Sequence, residues 1–147
     1  MNSHEISLVK TSFAKVAPIA EQVAALFYAR LFELDPSLRA LFPGGDMAEQ
    51  GRKLMQMLSL AVNGLDRLEA LAPAVRSLGM RHAGYHVRDE HYDTVGEALL
   101  WTLGKGLGAD FTAEMQAAWA RTYWLLAETM KAGARDALAL QRRSAVA

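Results

Sequence analysis

The chain has 147 residues, the size of one domain, and 16 Lys plus Arg against 16 Asp plus Glu leave no formal net charge. That balance argues against nucleic acid as a main partner, and the absence of cysteine excludes disulfides, thiolate metal sites and cysteine nucleophiles. The start, MNSHEIS, has no basic-then-apolar leader pattern, and no apolar run approaches the ~18–20 residues of a membrane span, so a soluble, cytoplasmic globule is expected. In chain order, Ile6, Val9, Phe13 and Val16 fall at helical intervals behind a possible cap at Ser3. Pro18 breaks that helix. The next, from about Ile19 to Leu34, is apolar on most faces and so predicted to be buried. Asp35-Pro36 restarts the chain in a short turn, and Leu41-Phe42-Pro43-Gly44-Gly45 forms an irregular corner.

Asp46 can cap a fourth segment with Leu54, Met57, Ala61 and Leu65 in one stripe, ending at Asn63-Gly64. Pro73 is expected to open a helix carrying Val75, Leu78, His82 and Tyr85. Asp89 is expected to cap a sixth, with Tyr92, Val95, Leu99 and Leu103 inward. Thr112 starts the last, where Met115, Trp119, Tyr123, Leu126 and Met130 recur. Strand-like alternation is absent. The reading is an all-α fold of about seven helices with short connections. At 52 % hydrophobic and 22 % charged, such a domain either packs very well or lines a pocket for something apolar.

The informative residues are polar ones standing within these stripes. His82 replaces an aliphatic residue on the face of Val75 and Leu78, as a satisfied core histidine or as a metal ligand. His86, four residues on, could share that face. Without an HExxH motif or an obvious third ligand, zinc is not expected there. His4 and His91 read as solvated. Gln50 precedes Leu54 by one turn, as a polar stripe end or as a site residue. Tyr28 sits within the buried second helix, where its hydroxyl needs a partner if enclosed, as a core tyrosine with a backbone partner or as a site residue. Phe42 at the corner could be a plain core plug. No phosphate-cradling glycine loop, GxSxG elbow or pair of acids on an apolar face competes.

The stretches LFYARLFELDPSLRALFP, QGRKLMQMLSLAVNGLDRLEAL, SLGMRHAGYHV, HYDTVGEALL and AAWARTY, ordered and spaced around one histidine, resemble the globin family. The similarity runs from about residue 7 to 130. It is nearest in kind to bacterial single-domain globins, the globin part of flavohaemoglobins and the neuroglobin-like branch. The resemblance implies a single globin domain over 1–147, with 131–147 as a C-terminal helix end or tail. It also implies haem b as the cofactor. Residue by residue, it puts His82 at the proximal iron ligand, Phe42 against the haem face, and Gln50, Tyr28 and Leu54 on the distal side. Leu58, Leu78, Val87, Tyr92 and Val95 are implied to pack on the haem, and Lys53, Arg81 or His86 to meet a propionate.

On that basis O2 is expected to bind reversibly to ferrous iron, with NO and CO as further ligands, and with the Tyr28 hydroxyl and Gln50 amide as donors. Because glutamine is a poor iron ligand, the ferrous iron is expected to be five-coordinate or weakly six-coordinate. One departure stands out. Tyr92 matches a proximal tyrosine of flavohaemoglobins, but Ala134 stands where their glutamate is expected, which weakens the expected push of electron density. Nitric oxide dioxygenation would need an external reductase, and a gas-sensing module would need a signalling partner. The expected association state is a monomer or weak homodimer.

Overall fold

The computed structural model describes residues 1–42, 44–84 and 87–146, so that Pro43, Tyr85, His86 and Ala147 lie outside the described residues. Among these, the chain forms α1 (Ser3–Val16), α2 (Ala20–Leu34), α3 (Met47–Asn63), α4 (Leu68–Gly84), α5 (Asp89–Leu107) and α6 (Ala113–Val146), and no strand. The all-α expectation holds. The count is six α-helices and not seven, because Pro36–Leu41 is a six-residue 3-10 segment. Asp35 caps it by accepting the Ser37 N–H at 3.1 Å, and Pro36 presets its first turn. Gly44 and Gly45 take positive φ of 92° and 72°, a backbone state glycine adopts without a Cβ clash, and thereby build the corner before α3.

Several helix starts follow their expected caps. Asp46 accepts from the Glu49 N–H at 3.1 Å, and Thr112 Oγ1 from the Met115 N–H at 3.2 Å. Three differ. The first helix is capped by Asn2 instead of Ser3, in a capping box with Glu5. Pro73 lies inside α4. It is exposed there, and the Glu69 carbonyl it leaves without a helical donor is on an exposed residue that water can reach. Asp89 is the first residue of α5, whose N-cap is Arg88; the Arg88 N–H is taken by His91 Nδ1 at 2.9 Å. His91 is accordingly buried, not solvated.

The core sits where α1, α2, α5 and α6 meet, around Val9, Phe13, Phe27, Leu31, Leu103 and Trp119. Its polar insertions are satisfied: the Trp119 indole N–H donates to Ser12 Oγ at 2.8 Å, Ser12 Oγ–H to the Leu8 carbonyl, and the Thr102 and Thr122 hydroxyls each to the carbonyl four residues back. Two close crossings then place the outer helices. Gly51 of α3 meets Ala24 of α2, where a Cβ on the glycine would come within 2.9 Å of the alanine's. A Cβ on Gly79 of α4 would run into the Met130 backbone of α6, and one on Gly133 of α6 into the Arg76 backbone. So α3 packs on α2 and α4 on α6, and α3 and α4 do not pack along one another.

Candidate functional site

The expected site residues fall on two separate walls. On the first, α2 presents Tyr28 and α3 presents Gln50, Leu54 and Leu58, with Phe42 from the corner. The phenol is 9 % exposed and donates to the Gln50 backbone carbonyl at 3.5 Å, a long contact that leaves the hydroxyl weakly committed. The Tyr28 ring meets Phe42 edge-on at 5.5 Å between centroids. Burial pushes the Tyr28 hydroxyl up to about 12, against the smaller opposite pull of Gln50. It is therefore a protonated donor at any ordinary pH.

On the second wall, α4 presents His82 and Leu78, and α5 presents Tyr92 and Val95. His82 Nδ1 lies 2.8 Å from the Leu78 carbonyl oxygen, to which it must donate, since a carbonyl only accepts. The neutral ring then carries its free lone pair on Nε2, the arrangement in which a second hydrogen bond fixes the tautomer of a metal-ligating histidine. Burial holds the His82 pKa below its ordinary 6.5, with the Leu78 bond opposing and Arg81 adding to the depression. The backbone of Val87 closes the turn after α4, its N–H donating to the His82 carbonyl at 3.1 Å. Behind them, Tyr123 donates to the Tyr92 carbonyl at 2.5 Å, while the Tyr92 hydroxyl is buried and has no hydrogen-bond partner among the described residues.

Among the described residues the two walls share no hydrogen bond, and Leu54, Leu58, Leu78, Val87 and Val95 are half-buried rather than sealed into the core. Among the described residues no cluster of three His, Cys, Asp or Glu side chains could hold a bare metal ion. A metal at His82 would need its other ligands from a larger group, as a porphyrin provides. A flat apolar ring would also cover the half-buried side chains. These residues fit haem. Lys53 and Arg81 are exposed, at positions from which long cations can reach an acidic edge. His86 is outside the described residues.

Two features were not expected. Phe32, one turn after Tyr28, joins the aromatic cluster at 6.2 Å from Tyr28 and 5.7 Å from Phe42, with the Arg39 guanidinium over its ring. The i+4 spacing from Tyr28 was the available signal. A cavity of about 600 Å³ also opens beside the α2–α3 crossing, lined among others by Ala24, Tyr28, Phe32, Gly51 and Met55. It reaches Tyr28 but neither Gln50 nor His82, so it lies off the face between the two walls.

Among the described residues no helix is long and apolar enough to cross a membrane. The globin family model matches residues 25–130. Flavohemoproteins of two strains of Xylella fastidiosa are each 32 % identical over 130 residues, covering 87 % of this chain and 32 % of their own length. The chain thus spans about a third of those relatives. Neuroglobin of Tetraodon nigroviridis is 28 % identical over 146 residues, 90 % of this chain and 92 % of its own. With a matched segment that runs from within α2 into α6 and takes in both walls, the chain belongs to the globin family, whose members are haem-based gas-binding proteins.

Proposed function

We propose that the chain carries haem b on His82 and takes up O2 reversibly at ferrous iron beside Tyr28 and Gln50, with NO and CO as further ligands. The observation that carries this reading is the His82–Leu78 hydrogen bond, which leaves a neutral Nε2 with a free lone pair on an otherwise apolar wall. Haem, when bound, supplies an iron with one coordination position open to a diatomic gas. His82 holds the group from one side. Phe42, Leu54, Leu58, Leu78, Tyr92, Val87 and Val95 enclose it and exclude water. Tyr28 can turn its weakly held hydroxyl, and Gln50 its side-chain amide, toward the gas as donors. Lys53 and Arg81 serve the acidic edge, as does His86.

Glutamine leaves the distal side without a second strong ligand, so the ferrous protein is five-coordinate or weakly six-coordinate in this reading. Absorption spectra of the ferric, ferrous and CO-treated protein test it. A Soret band that shifts on CO addition is expected, and its absence after haem addition would end the proposal. A second reading, nitric oxide dioxygenation with an external reductase, is favoured by the likeness to flavohemoproteins. Against it stands the Tyr92 hydroxyl, to which no carboxylate hydrogen-bonds among the described residues, with Ala134 buried at the position expected for the glutamate. Sustained NADH-driven NO consumption with a reductase present would favour the enzyme; a single turnover would favour the binder.

A further inference from the structure

The outer face of α6 carries an apolar strip that the fold covers only in part, with the Lys131 ammonium 5.5 Å from the Trp124 ring centroid. Trp124 and Leu125 are 40 % and 39 % exposed in mid-helix. They border a shallow groove of about 440 Å³ lined by Ala117, Ala120, Arg121, Trp124, Leu125 and Glu128. An exposed aromatic and leucine side by side with small neighbours, rimmed by charge, is the composition of a contact surface rather than of a solvated face.

The charges on this face say what covers it. Glu114, Arg121, Glu128 and Arg135 follow one another at every seventh position, and all four are exposed. Residues seven apart lie nearly on one line along a helix, drifting only ~20° per step. The line therefore alternates in sign over 21 residues, roughly 30 Å. An antiparallel pairing of two such helices, with its two-fold axis between Trp124 and Leu125, sets Arg121 opposite the partner's Glu128. It also sets Glu114 opposite the partner's Arg135, and symmetry repeats both pairs. A parallel pairing sets like charge on like. Sliding the antiparallel pair so that Glu128 meets the partner's Arg135 brings Arg121 against the partner's Arg142. Of these registers the first alone pairs all four of these charges, and it carries Arg142 past the start of the partner's helix.

The intrachain neighbours do not conflict with it. His4 Nε2 meets Glu114 Oε1 at 2.6 Å and Lys131 Nζ meets Glu128 Oε1 at 3.6 Å, and a carboxylate with two oxygens can accept from an arginine across the axis as well. Arg121 reaches Glu5 through Nη1 at 3.4 Å and keeps its other guanidinium donors.

We propose that the chain forms a two-fold dimer through antiparallel α6 helices, with the apolar strip around Trp124 and Leu125 at its centre and the Arg121–Glu128 and Glu114–Arg135 pairs on its rim. The contact is isologous, as a closed homodimer requires.

Sedimentation equilibrium of the full chain over micromolar to millimolar concentration tests it. The wild type should move reversibly between monomer and dimer. Arg121→Glu and Glu128→Arg, which each turn two attractions into repulsions, should each weaken the dimer about tenfold or more. The double variant Arg121→Glu/Glu128→Arg should regain it, because the swap preserves complementarity. Circular dichroism matching the wild type establishes that each variant is folded. Register is tested by cross-linking on a chain with no native cysteine. Leu125→Cys, beside the axis, should oxidise to a covalent dimer, and Leu138→Cys, exposed on the same helix but far from the axis, should not. A wild type that stays monomeric throughout overturns the proposal. So does a dimer indifferent to both charge reversals, or one that cross-links through Leu138→Cys and not through Leu125→Cys.

Discussion

The two walls of the site are built by different means. The wall of Tyr28 and Gln50 grows out of the core: α2 alone buries Val23, Ala24, Phe27, Tyr28 and Leu31. The wall of His82 does not. In α4 only Val75 and Gly79 are buried, Pro73 interrupts its backbone bonding, and its hold on the molecule is backbone against backbone at Gly79 and Gly133. Apolar burial stabilises a helix in proportion to the side chains it hides, ~1.5–3 kcal/mol for each large one. A helix that hides so little leans on its neighbour's shape, and on whatever its half-buried histidine face binds. The donor wall is thus rigid before any ligand arrives, and the histidine wall is where binding energy and folding are most closely linked.

The largest expected effect breaks the histidine wall chemically. His82→Ala should lose the haem: the Soret band should disappear on gel filtration, and added imidazole should restore part of it. Next is a steric break of the same wall. Gly79→Val forces a branched side chain into the Met130 backbone and should cost about 3 kcal/mol, the upper part of the overpacking range, read as a lower urea midpoint. Hydrogen exchange of the unliganded protein should run faster in α4 than in α2.

On the donor wall the expected changes are smaller and kinetic. Tyr28→Phe and Gln50→Leu should each speed O2 release about tenfold by stopped flow, since a hydrogen bond to a partly charged acceptor is worth roughly 1.5 kcal/mol. Acid should separate the walls. His82 is held neutral in the folded protein while the unfolded chain takes up a proton near the ordinary 6.5, so the unfolded state gains protons first. Stability and haem retention should therefore fall as pH drops below that value, and the slope should shrink in His82→Ala. Tyr28, near 12, and Gln50 should contribute nothing to it. The smallest effect is expected at the exposed Arg76–Asp136 pair between α4 and α6, where Arg76→Ala should shift stability by less than about 1 kcal/mol.

Much of this was legible in the sequence because it is local. Helical spacing displays the faces of α2, α3 and α6, and side-chain oxygens at Asp35, Asp46 and Thr112 announce the starts they cap. His82 stands out as a polar residue in an apolar stripe, and its own helix supplies the carbonyl four residues back. What stayed hidden depends on distant partners or on competition between equals. Asn2 and Ser3 are both good caps, and only the folded backbone chooses. Pro73 marks a helix start in general, but here an exposed carbonyl lets the helix run through it. His91 looks solvated until its ring folds back on the Arg88 N–H. Nothing along the chain says that Gly79 and Gly133 answer to each other's helices.

Those two glycines also act as a keyway. Sliding α4 one turn along α6 in either direction would put Val75 or Ala83 where Gly79 now lies, and each carries the β-carbon that the Met130 backbone cannot admit. Translation is locked; tilting about the crossing is not. Any pull on His82 then tilts α4 about that fulcrum without sliding it along α6. From Gly79 back to Leu68 is a lever arm of roughly 16 Å, so a tilt of about 5° would displace the start of α4 by ~1.4 Å.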